Sequence, residues 1–135
     1  MAIMLDTNVV LDLTNDDPKW MEWSKAQLET HSAEGFIVSP MVYAEICCNF
    51  ENTDEVDSLL VEMNATLAET PREALYLAAK SHLLYRQRGG TRTSGLPDFF
   101  IGAHASVIGV PILTRDTARY KTYFPDVTLI CPENS

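Results

Sequence analysis

The chain has 135 residues, 46% hydrophobic and 21% charged, which is the size of one domain and a composition that excludes a disordered polar chain. A net charge of −9 argues against a surface that is basic throughout, and three cysteines without metal-type spacing, Cys47, Cys48 and Cys131, exclude a disulfide framework. An aspartate at position 6 interrupts the first apolar run before a signal-peptide core accumulates, and no apolar run approaches the ~20 residues of a membrane span, so a cytoplasmic protein is expected.

In chain order, "AIMLD" (residues 2–6) is a short apolar run ending in an acid and reads as a buried strand, followed by a short helix at "NVVLDL". The spacing then predicts a helix over 18–33, with Pro18 near its start, and a strand at "GFIVSP". Helices are expected over 40–50 and 54–64, the first carrying Cys47 and Cys48 as reduced, buried thiols. "NATLAE" adds a short edge strand, and a long helix over 72–88 runs out at Gly89-Gly90. The loop "RGGTRTSGL" (residues 88–96) leads to a helix over 97–108 ending at Gly109. A strand at "VPILTRD", a helix over 117–123 and a strand at "DVTLICP" complete the chain. Strands alternating with helices imply an α/β fold: one domain over 1–135, with a central, mainly parallel sheet of four or five strands flanked by helices.

In such a sheet the working crevice lies beyond the carboxyl ends of the strands, and four acids recur there. Asp6 ends the first strand, where an N-cap for the following helix is the ordinary role. Ser39 and Pro40 open a helix by capping it and filling its first position, which places Glu45 in the second turn among apolar neighbours. Asp98 follows Pro97 at the head of "DFFIGAHASVIG", a helix apolar on nearly all sides. The helix macrodipole alone favours an acid there by 0.3–1 kcal/mol, so ~1 kcal/mol of the placement needs no site. His104 on that helix reads as a hydrogen-bonded packing residue, and Asp116, after "PILTR", as another cap. Each acid is separately explicable; their recurrence on one sheet edge is not. Clustered carboxylates cannot all ionise without counter-charge, so either some are protonated or a cation is present, and oxygen ligands without His or Cys suit Mg²⁺ or Mn²⁺.

The segments "LDTNVVLD", "SPMVYAEI", "GLPDFFIGAHA" and "ILTRDTARYKTYFPDV", in that order and over essentially the whole chain, resemble a PIN domain, most closely a VapC-type toxin ribonuclease of a toxin–antitoxin pair. The resemblance implies a catalytic cluster of Asp6, Glu45, Asp98 and Asp116, with Asp6 and Asp98 as the principal Mg²⁺ ligands. It implies that Asn8 and Thr114 line the same pocket and hydrogen-bond to ligands or phosphate. It also implies hydrolysis of an RNA phosphodiester bond by metal-activated water.

The basic residues that flank the crevice in sequence, Arg88, Arg92, Arg115 and Arg119, are candidates for RNA phosphate contacts, with surface salt bridges the alternative for each. Residues 1–70 carry a net −12 and residues 71–135 a net +3, so a local basic surface is compatible with the acidic total. Trp20 and Trp23, three apart in a helix, are aromatic anchors of the kind found at interface centres, and the resemblance implies that they contact an antitoxin. Val56, Leu59, Leu60 and Met63 form an amphipathic face read mainly as core, and a homodimer through the apolar helices is implied by the resemblance. A haloacid dehalogenase-like phosphatase needs a second aspartate where Asn8 stands, and a response-regulator receiver needs a late strand-end lysine. The remaining alternatives are a PIN fold that binds RNA or a partner without cleaving, and an RNA-processing nuclease unconnected with toxicity.

Overall fold

Every side chain of β1 (Ile3–Leu5) is buried, as expected for the middle strand of a parallel sheet covered on both faces. The computed structural model describes residues 2–90 and 95–133. β1 pairs in parallel with β2 (Phe36–Val38) on one side and β4 (Ile112–Leu113) on the other, with Met4 opposite both Ile37 and Ile112. β3 (Ala65–Leu67) extends the sheet beyond β2, and β5 (Leu129–Ile130) beyond β4. The order is therefore β3-β2-β1-β4-β5, and all neighbours are parallel. The chain steps outward from β1 through β2 to β3, then returns to the other side of β1 with β4. This makes the β1/β4 junction the topological switch point where a crevice is expected. The edge strand anticipated at "NATLAE" is present, so the sheet has five strands among the described residues.

Seven helices surround the sheet among the described residues: α1 (Thr7–Thr14), α2 (Met21–His31), α3 (Pro40–Cys47), α4 (Thr53–Glu62), α5 (Arg72–Gln87), α6 (Leu96–Ile108) and α7 (Ala118–Tyr123). Local chemistry fixes their starts. The Asp6 carboxylate accepts the Thr7 N–H, the Ser39 hydroxyl accepts the Val42 N–H ahead of Pro40, and Asn52 accepts the Glu55 N–H. α2 begins at Met21 rather than at 18, because the Asp17 carboxylate accepts the N–H groups of both Lys19 and Trp20 at 2.9 Å and holds 17–20 as a turn. α3 likewise stops at Cys47, short of the expected 50. α6 is introduced by Gly95 at φ 71°, a left-handed conformation that glycine adopts without strain.

The core joins β1 and β4 to Val9, Val42, Ile46, Phe99 and Ile101, all fully buried. At Gly102, in the middle of α6, an added Cβ would lie 2.3 Å from the Phe124 ring, so the absence of a side chain is what seats that ring on the helix. His104 is buried on α6 with its Nδ1 3.3 Å from the Thr70 hydroxyl, in the packing role expected of it. The cysteines correct the expectation of burial: all three are free thiols, but Cys48 is exposed and Cys47 and Cys131 are half-buried. The helical period alone does not separate the inner from the outer flank of a helix as short as α3. Among the described residues no helix is long and apolar enough to cross a membrane.

Candidate active site

A cleft of about 350 Å³ opens beyond the carboxyl end of β1 and is lined by Asp6, Thr7, Asn8, Leu11, Glu45, Gly95, Pro97 and Asp98. Three acids from separate segments thus meet there: Asp6 from the end of β1, Glu45 from α3 and Asp98 from the head of α6. Each arrives through the local feature that starts its helix, since Asp6 is itself a cap, Ser39-Pro40 starts α3, and Gly95 with Pro97 starts α6.

Asp6 is the most enclosed, at 5% exposure. Its Oδ1 accepts the Thr7 N–H at 2.7 Å. Its Oδ2 accepts the Thr114 and Tyr120 hydroxyls, each at 2.8 Å, and the Asn8 amide at 3.4 Å. Burial pushes the Asp6 carboxyl above its ordinary range, opposed by the hydrogen bonds from Tyr120, Thr114 and Thr7, with the charge of Glu45 adding to the rise. Thr7 ties two acids together, because its hydroxyl donates to Glu45 Oε1 at 2.6 Å while its backbone N–H holds Asp6. Glu45 is half-buried and, among the described residues, forms no ion pair, which matches the shortage of basic residues in the first half of the chain.

Asp98 is pushed up to about 7, first by burial and then by the charge of Asp6, with Arg119 opposing and Asp116 adding. Arg119 approaches through Nη1, 3.4 Å from Asp98 Oδ2, and donates from Nη2 to the Tyr85 hydroxyl at 3.1 Å. Asp116 stands apart. It is exposed, does not line the cleft and, contrary to the expected capping role, leaves Thr117 at the start of α7 without a side-chain cap bond. It reaches the site through its backbone, whose N–H donates to the Thr114 hydroxyl at 3.1 Å, and through its charge on Asp98 and Tyr120.

Asn8 lines the cleft as expected, whereas Thr114 is fully buried and touches the site only through Asp6 and Asn8. The Asn8 amide donates to Thr114 Oγ1 at 3.2 Å and its carbonyl accepts the Arg115 N–H at 3.3 Å, joining the end of β1 to the end of β4. Arg115 takes the salt-bridge alternative, with a partner that is buried rather than at the surface. It forms a two-pronged ion pair with Asp12, both contacts at 2.9 Å, and its guanidinium lies 5.4 Å from the Trp20 ring centre. Asp12 is 2% exposed and also accepts the Ser24 hydroxyl, so Arg115 is committed to a structural pair. Arg88 lies over the Tyr123 ring at 5.7 Å, and Arg92 falls outside the described residues.

Trp20 and Trp23 are both half-buried and meet edge to face at 6.2 Å. Leu28, Leu59 and Met63 line a cleft between α2 and α4 together with Lys25, Glu29 and Glu62, while Val56 and Leu60 of α4 are buried in the core.

Sequence reasoning missed Thr7, Asp12, Tyr85 and Tyr120. Thr7 and Asp12 were visible only as parts of "DTNVVLD", and Tyr120 reads as an ordinary packing position in "TARYKTYF"; nothing local marks its hydroxyl as the partner of residue 6.

The donors facing the cleft are oxygens only. Among the described residues no three His, Cys, Asp or Glu side chains are gathered closely enough to cage a metal ion. The arrangement fits a hard divalent cation held directly by one or two carboxylates and otherwise by water, as is characteristic of Mg²⁺. The raised Asp98 carboxyl reflects burial first and the neighbouring charge of Asp6 second.

A family model described as PIN domain matches residues 3–125. A comparison with curated protein sequences gives no match. Among solved structures, the VapBC2 complex of Rickettsia felis bound to a promoter DNA fragment is similar over 97% of this chain and 98% of that chain, with a TM-score of 0.70 at 18% identity. FitAcB of Neisseria gonorrhoeae is similar over 98% and 99%, with a TM-score of 0.70 at 20% identity. DNA-bound VapBC of Salmonella typhimurium is similar over 97% and 98%, with a TM-score of 0.68 at 15% identity.

Proposed function

The chain belongs to the PIN domain family, and from that premise we propose that it is a Mg²⁺-dependent endoribonuclease, the toxin of a VapBC-type toxin–antitoxin pair. The observation that carries this reading is the meeting of Asp6, Glu45 and Asp98 in one cleft at the switch point of the sheet. In it Asp6 and Asp98 hold the cation, Mg²⁺ or Mn²⁺. When bound, that ion supplies a polarised water and charge for the departing oxygen of the phosphodiester. Thr7, Asn8, Thr114 and Tyr120 orient Asp6 and oppose the effect of its burial, Asn8 and Thr114 joining the two central strands. Glu45, steadied by the Thr7 hydroxyl, accepts a proton from the attacking water. Asp116 acts from the rim. Arg88 and Arg92 are the candidates for phosphate contact, while Arg115 serves by holding the turn after β4 and Arg119 is engaged by Asp98 and Tyr85.

The fold-level likeness to toxin–antitoxin complexes supports a cognate antitoxin as partner, with Trp20 and Trp23 as its contact. Exposed Leu75, Tyr76, Leu83 and Leu84 on α5 support a homodimer through that helix. In this reading residues 1–135 work as one PIN domain, in the cytoplasm. Pull-down with the antitoxin after Trp20→Ala and Trp23→Ala is expected to fail; unchanged capture removes that surface.

The test of activity is RNA cleavage by purified protein in Mg²⁺. Asp6→Asn and Asp98→Asn are expected to lower the rate by more than about 100-fold, beyond the range typical of residues that only support a metal ligand. Equal cleavage by all three proteins indicates a contaminant. The competing reading, a PIN fold that binds RNA without cutting it, is favoured by the ion pair between Asp98 and Arg119; RNA retained by a wild-type protein that does not cleave it would establish that reading.

A further inference from the structure

Among the described residues, Asp98 is the only acid lining the cleft that forms an ion pair, and the arginine that meets it is held by more than that contact. Arg119 donates to the Tyr85 hydroxyl at 3.1 Å, and its guanidinium carbon lies 5.1 Å from the Tyr85 ring centre. Tyr85 is fixed in turn, with its ring centre 5.3 Å from that of Phe99 and 6.1 Å from that of Tyr123. Gly95 also lies against the guanidinium: a Cβ there would be 2.2 Å from Arg119 Nε and 2.3 Å from Cζ. Because Gly95 lacks a side chain, the guanidinium can approach the backbone that opens α6, three residues before the acid it meets. A side chain reaching toward solvent for an RNA phosphate needs none of this.

We propose that Arg119 is a positioning residue, the resident counter-cation of Asp98, which yields that carboxylate when a divalent cation binds and so weakens the site's affinity for metal. The inference rests on the reading of Asp98 as a metal ligand. An opposite charge within 4–6 Å stabilises a carboxylate, and the same charge repels a second cation brought to it. Arg119 thus keeps the acidic cluster tolerable while no metal is bound, and opposes the metal's arrival. Tyr85 acts through Arg119, since its hydroxyl and ring set where the guanidinium rests.

Mn²⁺ binding to the full chain, without RNA, followed by the electron paramagnetic resonance signal of the free ion, reads affinity apart from turnover. Arg119→Gln is expected to tighten the Mn²⁺ Kd about tenfold, the size of a one-unit effect from a neighbouring charge. Tyr85→Phe, which removes one hydroxyl and keeps the ring, is expected to tighten it by less. The double variant is expected to match Arg119→Gln alone, because a residue acting only through Arg119 adds nothing once the arginine is gone. A Kd that is unchanged or weaker in Arg119→Gln overturns the proposal, the weaker value showing that the arginine orients Asp98 for the metal. If Arg119→Gln fails to fold, the sign of the Tyr85→Phe shift decides by itself. Asp98→Asn separates the two levels: wild-type protein that binds Mn²⁺ no better than this variant removes the metal-site reading, and the inference with it.

Discussion

The Asp6 carboxyl lies where water is largely excluded, and four donors from Thr7, Asn8, Thr114 and Tyr120 replace the lost solvation. Tyr120→Phe leaves the ring's packing in place and deletes one of these donors. A hydrogen bond to a charged group contributes ~1.5–3 kcal/mol, so a loss of stability of about 2 kcal/mol is expected, read as a lower urea midpoint with an unchanged slope. Asp98 makes a different prediction. Its folded carboxyl is raised from 3.8 to about 7, so between those values the folded chain binds the proton more tightly than the unfolded one. The stability this group contributes is full below about pH 4 and is lost as pH rises through 7. The difference in stability between wild type and Asp98→Asn, measured without metal, should therefore move against the wild type across that window. A flat difference would show that Asp98 is not perturbed. The acid itself was legible from Pro97 and the strand-end pattern, whereas its pairing with Arg119 depends on where α7 lies.

Between the elements, the ion pair of Asp12 and Arg115 fastens α1 to the turn after β4, with Ser24 of α2 on one side and the Trp20 ring on the other. The two halves of the pair are unequal, because Asp12 is 2% exposed and the Arg115 side chain 28%. Arg115→Ala strands a buried carboxylate and should cost about 3 kcal/mol. Asp12→Ala leaves a guanidinium able to reach water and should cost only about 1 kcal/mol. Denaturation of both variants checks the order, and equal costs would mean that the buried acid finds another partner. The start of α2 shows a local signal that was misjudged. Pro18 opens a turn rather than the helix, because the Asp17 carboxylate captures the N–H groups of Lys19 and Trp20. By contrast, β3 follows from its pattern as expected and finds a place at the sheet edge beside β2.

Across the whole molecule, the acidic first half and basic second half meet at the cleft, with Asp6 and Glu45 from one and Asp98 and Arg119 from the other. A ligand that binds only the folded chain stabilises it in proportion to the logarithm of its concentration, by ~2.7 kcal/mol at a hundred times Kd. Mg²⁺ or Mn²⁺ at that excess is expected to raise the wild-type melting temperature by several degrees, and a chelator to reverse the rise. The same additions should leave Asp98→Asn almost unmoved; an equal rise in both would place the cation elsewhere.

The strands, the helices, the glycine and proline that open α6 and the recurrence of acids at strand ends were all written locally, in caps, periodicities and turn residues separated by a few positions. The partners were not. Tyr120 meets Asp6 across 114 positions, Arg115 meets Asp12 across 103, and Arg119 meets Tyr85 across 34. Hydrogen bonds and ion pairs act over about 3 Å, and no neighbouring residue carries the signature of a partner so distant in the chain. Only the tertiary arrangement, which sets β4 beside β1 and α7 against α6, determines which of several arginines, tyrosines and threonines stands next to which acid.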